Sequence, residues 1–186
     1  MACETLILDD LHVGDEKTVV IATHVASGDN AGTAKNVATG TTMLCYDPDR
    51  ETCGAADSGS ATTLVDADRT EPDGFWQGLS LVVTKADDGR EYRTEVTGFV
   101  QATHTLTFYG LPASVAAGDG YRLEGYPLLP RTAAARDANE GSIQLTPSNA
   151  TGTPGRRVLV YHADFGDDSE AVVCAFRVLP GKDLRT

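Results

Sequence analysis

Short apolar and β-branched runs recur along the chain, with polar turns between them. Within several runs the apolar positions alternate with polar ones: Leu106 and Phe108 share a side with His104, and Leu79 shares a side with Leu81 and Val83. A period of two residues is typical of antiparallel strands with one buried face. We therefore predict strands at residues 5–8, 17–25, 42–46, 79–84, 91–96, 104–109, 121–124, 141–145, 157–163 and 171–178.

Glycine and aspartate mark the turns between these runs. Asp87-Asp88-Gly89 joins two predicted strands and indicates a tight hairpin with positive φ at Gly89. Residues 130–140 have helix-forming composition but no apolar stripe, which predicts a short exposed helix or a linker. Short strands with regular turns favour a β-sandwich or a small barrel, so the fold class is all-β. Further turns are predicted at residues 28–32, 118–120 and 166–168.

The charge balance narrows the classes of partner. The 186 residues contain 27 Asp and Glu against 15 Lys and Arg, a formal net charge of −12. Phosphate backbones repel such a surface, so we expect no nucleic-acid partner. No run approaches the ~20 apolar residues that span a bilayer, and the first residues lack the basic segment of a signal peptide. We expect a chain made in the cytoplasm, without a membrane partner.

Cysteine and histidine are too scattered for a metal site. Cys3, Cys45, Cys53 and Cys174 form no CxxC pair, and zinc sites normally show short paired spacings. Cys45 and Cys174 sit in apolar runs, so buried thiols are expected there. A disulfide between them after release to an oxidising exterior is the alternative. His12, His24, His104 and His162 lie far apart in sequence and form neither HxH nor HExxH. We expect packed or surface roles for His104 and His162, which fall on predicted strands.

We also predict no catalytic, cofactor-binding or metal-binding residues. Carboxylates are abundant, but abundance in an acidic chain is not evidence for a glycosidase pair. The oxygen-rich segments 47–49 and 164–168 suit weak Ca²⁺ binding, although the EF-hand pattern is missing and solvated turns explain them better. Serine-nucleophile, Walker and dinucleotide-binding signatures are absent from the sequence.

Trp76 is the only tryptophan and has two interpretations. An exposed tryptophan stacks on sugar rings, which would indicate a carbohydrate-binding module. A buried tryptophan would anchor a core, with its indole N–H bonded to backbone. We favour the core position. The carbohydrate alternative would need Trp76, or Tyr92, Tyr109 and Tyr121, exposed on one concave face.

Residues 58–124 carry a spaced pattern of motifs. A Ser/Thr-rich opening leads to Leu-x-Asp, an acidic stretch, Trp-x-Gly, a strand, Gly-Arg, a second strand and a closing Ala-Gly-Asp-x-Tyr-x-Leu. This pattern resembles a small β module of tailed-bacteriophage structural proteins and covers about a third of the chain. Its residues here are Leu64, Asp66, Trp76, Gly78, Gly89, Arg90, Gly118, Asp119, Tyr121 and Leu123.

The flanking segments resemble Ig-like domains of phage virion proteins. The similarity lies in Val13-Gly-Asp before a long strand, a strand ending in Asp47-Pro48, and Tyr161-His-Ala-Asp-Phe. It implies an Ig-like β-sandwich with an inserted small β-barrel-like module. The sandwich would comprise residues 1–56 plus 128–186, and the insertion residues 57–127. Separate domains in sequence are the alternative, but each flank alone has few strands.

The resemblance implies a non-enzymatic virion protein: a capsid decoration (cement), head-fibre or head–tail (neck) component. Its partners would be major capsid, neck or tail proteins, and copies would form a symmetric homo-oligomer. The apolar segment 6–8 and the tail 179–186 are expected to dock on neighbours. A carbohydrate-binding module for host adhesion is the alternative function, and a polysaccharide hydrolase with two converging carboxylates is a third.

Overall fold

The fold comes from a computed structural model that describes residues 5–7, 10–23, 33–166 and 169–180. Strands hold 57% of the described residues and helices 5%, which confirms the all-β class. Several expectations lie outside the described residues, among them those for Cys3, Leu8, His24, the loop 28–32, Asp167, Asp168 and the tail 181–186.

Fourteen strands follow one another among the described residues. Residues Gln101–Thr103 form a 3₁₀ turn, and residues Pro147–Thr151 form a single π-helical turn. The strands are β1 Thr5–Ile7, β2 Leu11–His12, β3 Lys17–Ala22, β4 Thr42–Ala55, β5 Ser58–Gly59, β6 Thr63–Val65, β7 Ser80–Thr84, β8 Glu91–Val100, β9 Thr105–Phe108, β10 Gly120–Ala133, β11 Ala135–Asp137, β12 Glu140–Leu145, β13 Gly155–Asp164 and β14 Ser169–Leu179.

The chain divides into two compact units. Unit 1 comprises Met1–Tyr46 and Thr132–Thr186, and unit 2 comprises Asp47–Arg131. The boundaries fall inside β4 and β10, whereas the sequence placed them at residues 56/57 and 127/128. The strand that begins at Thr42 continues through Asp47-Pro48 to Ala55 instead of ending there.

Unit 1 contains a mixed sheet and a small antiparallel sheet. β13 pairs with β14 on one side and with the start of β4 on the other, both antiparallel, while β1 and β2 pair in parallel with β14. β12 lies between β11 and β3 in the small sheet. A Cβ on Gly141 of β12 would lie 2.3 Å from Cε2 of Tyr161 on β13, so glycine permits close contact between the two sheets.

Unit 2 is an antiparallel series in the order β10–β7–β8–β9–β6–β5. Its core includes Leu64, Leu81, Leu106 and Leu123, all with 0% exposure. No pairing among the described strands joins β5 to β10, so the predicted barrel-like closure is wrong. The alternation predicted for Leu106 and Phe108 is confirmed, but Val82 is buried as well as Leu81 and Val83, so both faces of β7 are covered.

Two local predictions have opposite outcomes. The hairpin at residues 87–89 is confirmed, because β7 and β8 pair and Gly89 has φ +70°. The helix or linker predicted at 130–140 is wrong, because β10 runs to Ala133 and β11 pairs back onto β12. Ala138, at φ +49°, makes the turn between them. Cross-strand pairing overrides the local helix propensity of this segment.

Candidate functional site

The first buried polar centre of unit 2 surrounds Asp119, which lies in the turn before β10 and is 2% exposed. Its carboxylate accepts bonds from the backbone N–H of Ala86 (2.9 Å) and of Ala116 (2.8 Å), and it forms an ion pair with Nζ of Lys85. Lys85 also donates to the carbonyl of Ser114 at 2.8 Å. The site thus joins the base of the β7–β8 hairpin to the loop before β10.

Electrostatics keep Asp119 ionised. Burial by itself raises the pKa of the carboxyl, but the bonds from Lys85, Ala86 and Ala116 outweigh burial and hold the pKa below its ordinary value. The ammonium of Lys85 balances the charge of this carboxylate, and three donors occupy most of its acceptor sites. The arrangement is suited to fixing loops.

The second centre pairs Asp66, just after β6, with Tyr121 of β10. The Tyr121 hydroxyl donates to Oδ2 of Asp66, and Nε of Arg69 lies 3.4 Å from the same oxygen. Burial, followed by the bond to Asp66, raises the pKa of Tyr121 above its ordinary value. A Cβ on Gly54 would lie 2.7 Å from both Asp66 Oδ2 and the Tyr121 ring, so this glycine leaves room for the pair.

Trp76 is fully buried, which confirms its predicted core position. Its ring packs edge-on against Phe75 and Tyr126, with centroids 4.8 and 5.8 Å away. Its indole N–H donates to Oε2 of Glu71 at 3.3 Å rather than to backbone, so that detail of the prediction is wrong. A buried ring offers no face to a sugar.

The three tyrosines of the carbohydrate alternative do not share an exposed face. Tyr92, Val83 and Tyr121 are neighbours in register on the core side of unit 2, and Tyr121 is 4% exposed. Tyr109 is 64% exposed and follows Thr105 and Thr107 on the outer side of β9. The sugar-stacking platform therefore loses Trp76 and Tyr121, and only Tyr109 presents an exposed ring.

The described histidines are dispersed. His104 caps the 3₁₀ turn at φ +51°, and its Nδ1 lies 2.6 Å from the carbonyl oxygen of Arg69. His12 Nδ1 lies 3.1 Å from the Pro180 oxygen, and His162 lies half-buried on β13. Within residues 5–7, 10–23, 33–166 and 169–180, no group of three His, Cys, Asp or Glu side chains is placed to hold a metal ion.

Strand order rules against the alternative disulfide. Cys45 on β4 and Cys174 on β14 are both buried thiols, and both are register partners of Leu159 on β13. One whole strand separates them, and two strand spacings amount to about 10 Å. Disulfides need Cα atoms about 4.4–6.8 Å apart.

In each of the two oxygen-rich segments, a carboxylate accepts bonds from backbone N–H groups. Asp164 accepts from the N–H of Gly40 (3.0 Å) and of Gly166 (2.8 Å), and Lys35 lies over the neighbouring Phe165 ring at 3.7 Å. In the other segment, Oδ1 of Asp47 accepts from the N–H of Asp49 at 3.0 Å. Asp164 thereby fixes the backbone that follows β13. The turn expected at 47–49 is wrong, because these residues lie within β4.

Sequence reasoning singled out Asp66 and Asp119 by their spacing but did not predict that they are buried, and it missed the buried Arg157 altogether. Arg157 on β13 is 1% exposed and donates to the carbonyls of Ala150 (2.9 Å) and Thr153 (2.7 Å). The Leu-x-Asp and Ala-Gly-Asp-x-Tyr spacings contained the signal for the two aspartates. Nothing in the apolar run around Arg157 distinguishes it from a surface arginine.

The N-terminal docking expectation also changes. Thr5–Ile7 forms β1 and pairs in parallel with Val173–Ala175 of β14 in the same chain. The β14 side of this segment is therefore occupied by the chain's own sheet. Among the described helices, none is long and apolar enough to cross a bilayer.

No protein-family model, curated protein or solved structure matches this chain.

Proposed function

We propose that this chain is a non-enzymatic structural component of a tailed-phage virion. It would be a capsid decoration, head-fibre or neck-associated protein that docks on other virion proteins, made in the host cytoplasm and located in the particle. Within it, residues 1–46 and 132–186 would form an Ig-like sandwich interrupted by unit 2. The close contact of Gly141 with Tyr161 between the two sheets of unit 1 supports the sandwich.

The main support for the proposal is the structural role of the spaced motif in residues 58–124. Most of its named residues are buried in unit 2 or shape its turns. Leu64, Asp66, Trp76, Asp119 and Tyr121 are all at most 4% exposed, and the motif glycines occupy left-handed backbone, at Gly78, Gly89 and Gly118. A pattern of this kind identifies a scaffold, and the phage structural module is the scaffold that it resembles.

The physical properties suit a protein that assembles in many copies. The net charge of −12 keeps separate copies apart in solution until a specific surface brings them together. The buried ionic centres tie loops to strands, which gives a docking surface a defined shape before binding. These features serve assembly without requiring a reactive group.

The direct test is protein composition of purified particles. Tailed-phage particles from the source of this sequence would be banded in a density gradient and analysed by quantitative mass spectrometry. We expect peptides of this chain in the band, in a constant ratio to the major capsid protein across fractions. Host cytosolic proteins serve as the negative control. Peptides confined to the soluble lysate would contradict the proposal.

A further inference from the structure

Residues 111–118 run along the open edge of unit 2, between β9 and β10, without forming a strand. β5 is the last strand of the antiparallel series, so its outer edge has no strand partner among the described residues. Three backbone N–H groups of residues 111–118 donate to carbonyl oxygens on either side of β5: Leu111 to Ala61 (2.8 Å), Val115 to Ser60 (2.9 Å) and Gly118 to Ala56 (2.8 Å). We call residues 111–118 the strap, because they cover an edge that could otherwise pair with another chain.

Few apolar contacts hold the strap. Leu111 and Val115 are its buried residues, at 8% and 3% exposure, and most of its other residues are exposed. Val115 packs over Gly59 of β5, where an added Cβ would lie 2.8 Å from Cβ of Val115, so the glycine leaves room for this side chain. A segment with few buried apolar groups and exposed backbone belongs to the least stable part of a domain.

One ion pair fixes the C-terminal half of the strap. Lys85, directly after β7, pairs with Asp119 and also donates to the carbonyl of Ser114 at 2.8 Å. Asp119 accepts from the backbone N–H of Ala116 at 2.8 Å. Two strap residues are therefore bonded to the two members of a single ion pair, which we call the latch. Separation of the latch would release both residues together.

We propose that the strap is a conformational device that opens as one unit when the latch separates, and that it uncovers the edge of β5 while the rest of unit 2 stays folded. The strands β5 to β10 pair with one another without the strap, so opening breaks only the bonds and the two apolar contacts of the strap itself. An uncovered edge offers backbone N–H and C=O groups to an extended segment. The closed strap occupies that place, and this inference does not depend on the virion proposal.

The test compares how fast a thiol reagent labels two buried positions of the full chain, with each site resolved by peptide mass spectrometry. Val115→Cys reports opening of the strap. Val96→Cys makes the same change on β8, at 0% exposure, where labelling requires unfolding of unit 2. The thiol of Val115→Cys should react on the order of a hundredfold faster, because local opening is more frequent than global unfolding. Trp76 fluorescence would verify that unit 2 of each variant is folded.

Two further substitutions separate local opening from global unfolding. Lys85→Met removes the charge of the latch and keeps the aliphatic stem, so it should speed labelling of Val115→Cys about tenfold or more. Leu81→Val weakens the core of unit 2 outside the strap, so it should speed labelling of Val96→Cys and leave that of Val115→Cys unchanged. Equal labelling rates at the two positions, or faster labelling of Val115→Cys in Leu81→Val, would overturn the inference. An unchanged rate for Val115→Cys in Lys85→Met would overturn the role of the latch.

Discussion

Each unit buries an ionic group, and the two groups have opposite sign. Unit 2 buries the carboxylate of Asp119, and unit 1 buries the guanidinium of Arg157. Asp119 is held by Lys85 and backbone N–H groups, whereas Arg157 donates to backbone carbonyls of residues 150–156. Both groups tie an irregular segment to the end of a strand. The two buried charges therefore hold loops in place. The negative carboxylate binds backbone N–H groups, and the positive guanidinium binds backbone carbonyls.

The difference in sign has an experimental consequence. A carboxylate can be neutralised at accessible pH, but an arginine keeps its charge throughout. The two units also carry separate probes. Trp76 reports unfolding of unit 2, and the buried thiols Cys45 and Cys174 report opening of unit 1.

The largest effect is expected from Asp119→Ala. It leaves Lys85 and the N–H groups of Ala86 and Ala116 without their partner, and breaking a buried ion pair from one side costs about 3–5 kcal/mol. Urea unfolding followed by Trp76 fluorescence measures the loss. Asp88→Ala is the matched control, because Asp88 is exposed in the same hairpin and pairs with Arg90. A loss no greater than that of the control would contradict the assignment.

The wild type and Asp119→Ala should also differ in how their stability depends on acidic pH. The folded pKa of Asp119 is lowered, so its contribution to stability is present above its unfolded pKa, about 4, and is lost as pH falls through the folded value. We expect the Trp76 transition of the wild type to weaken below about pH 4 and that of Asp119→Ala to weaken less. Parallel curves for the two proteins would argue against an ionised Asp119.

The second effect concerns Arg157. Replacement by alanine removes the donors for the carbonyls of Ala150 and Thr153 and should cost about 2–3 kcal/mol. The readout is the labelling rate of Cys45 and Cys174, resolved by peptide mass spectrometry, which should rise while the Trp76 transition stays in place. Arg157→Lys keeps the charge but loses the planar fork, so we expect it to recover only part of the loss. Full recovery would show that charge alone matters.

A smaller loss, about 1–2 kcal/mol, is expected from Tyr121→Phe, because Asp66 loses a hydroxyl donor. The raised folded pKa of Tyr121 gives it a second signature. A contribution from a raised pKa is fully present below the unfolded value, about 10, and is lost as pH rises towards the folded one. Alkaline unfolding of the wild type should therefore steepen above about pH 10, and the phenylalanine variant should lack that component. Identical alkaline curves would contradict the raised pKa of Tyr121.

The sequence predicted what local patterns determine. Alternation located Leu106 and Phe108 in the core, and Asp87-Asp88-Gly89 specified a hairpin. Features that depend on distant partners were missed. Residues 130–133 continue β10, and residues 135–137 form β11 because they pair with β12. Cys45 and Cys174 are separated by β13, which no spacing in the sequence reveals.

Dependence on distant partners also limited what the sequence predicted of the buried polar centres. Trp76 and the two motif aspartates could be singled out from spacing, but their partners could not. Lys85 lies 34 residues from Asp119 and Asp66 lies 55 from Tyr121, so only tertiary structure brings each pair together. The side on which the residues after Val96 of β8 point depends on a one-residue bulge at Thr97, which has no signature in the sequence.

The smallest effect should come from the exposed ion pairs of unit 2. Arg93 pairs with Glu124 across β7, and Arg93 and Arg122 flank Val82 in register. Exposed pairs contribute about 0.2–1 kcal/mol, so a double-mutant cycle on Arg93 and Glu124 should give a coupling in that range that salt reduces. Val82 is only 2% exposed on this outward side, and we attribute its cover to the aliphatic stems of the arginines. Arg93→Met should therefore keep more stability than Arg93→Ala, even in high salt. Equal losses of stability in Arg93→Met and Arg93→Ala would show that Arg93 acts through its charge alone. The outer side of β7 would then be stabilised only by weak, exposed ion pairs, unlike the buried centre at Asp119.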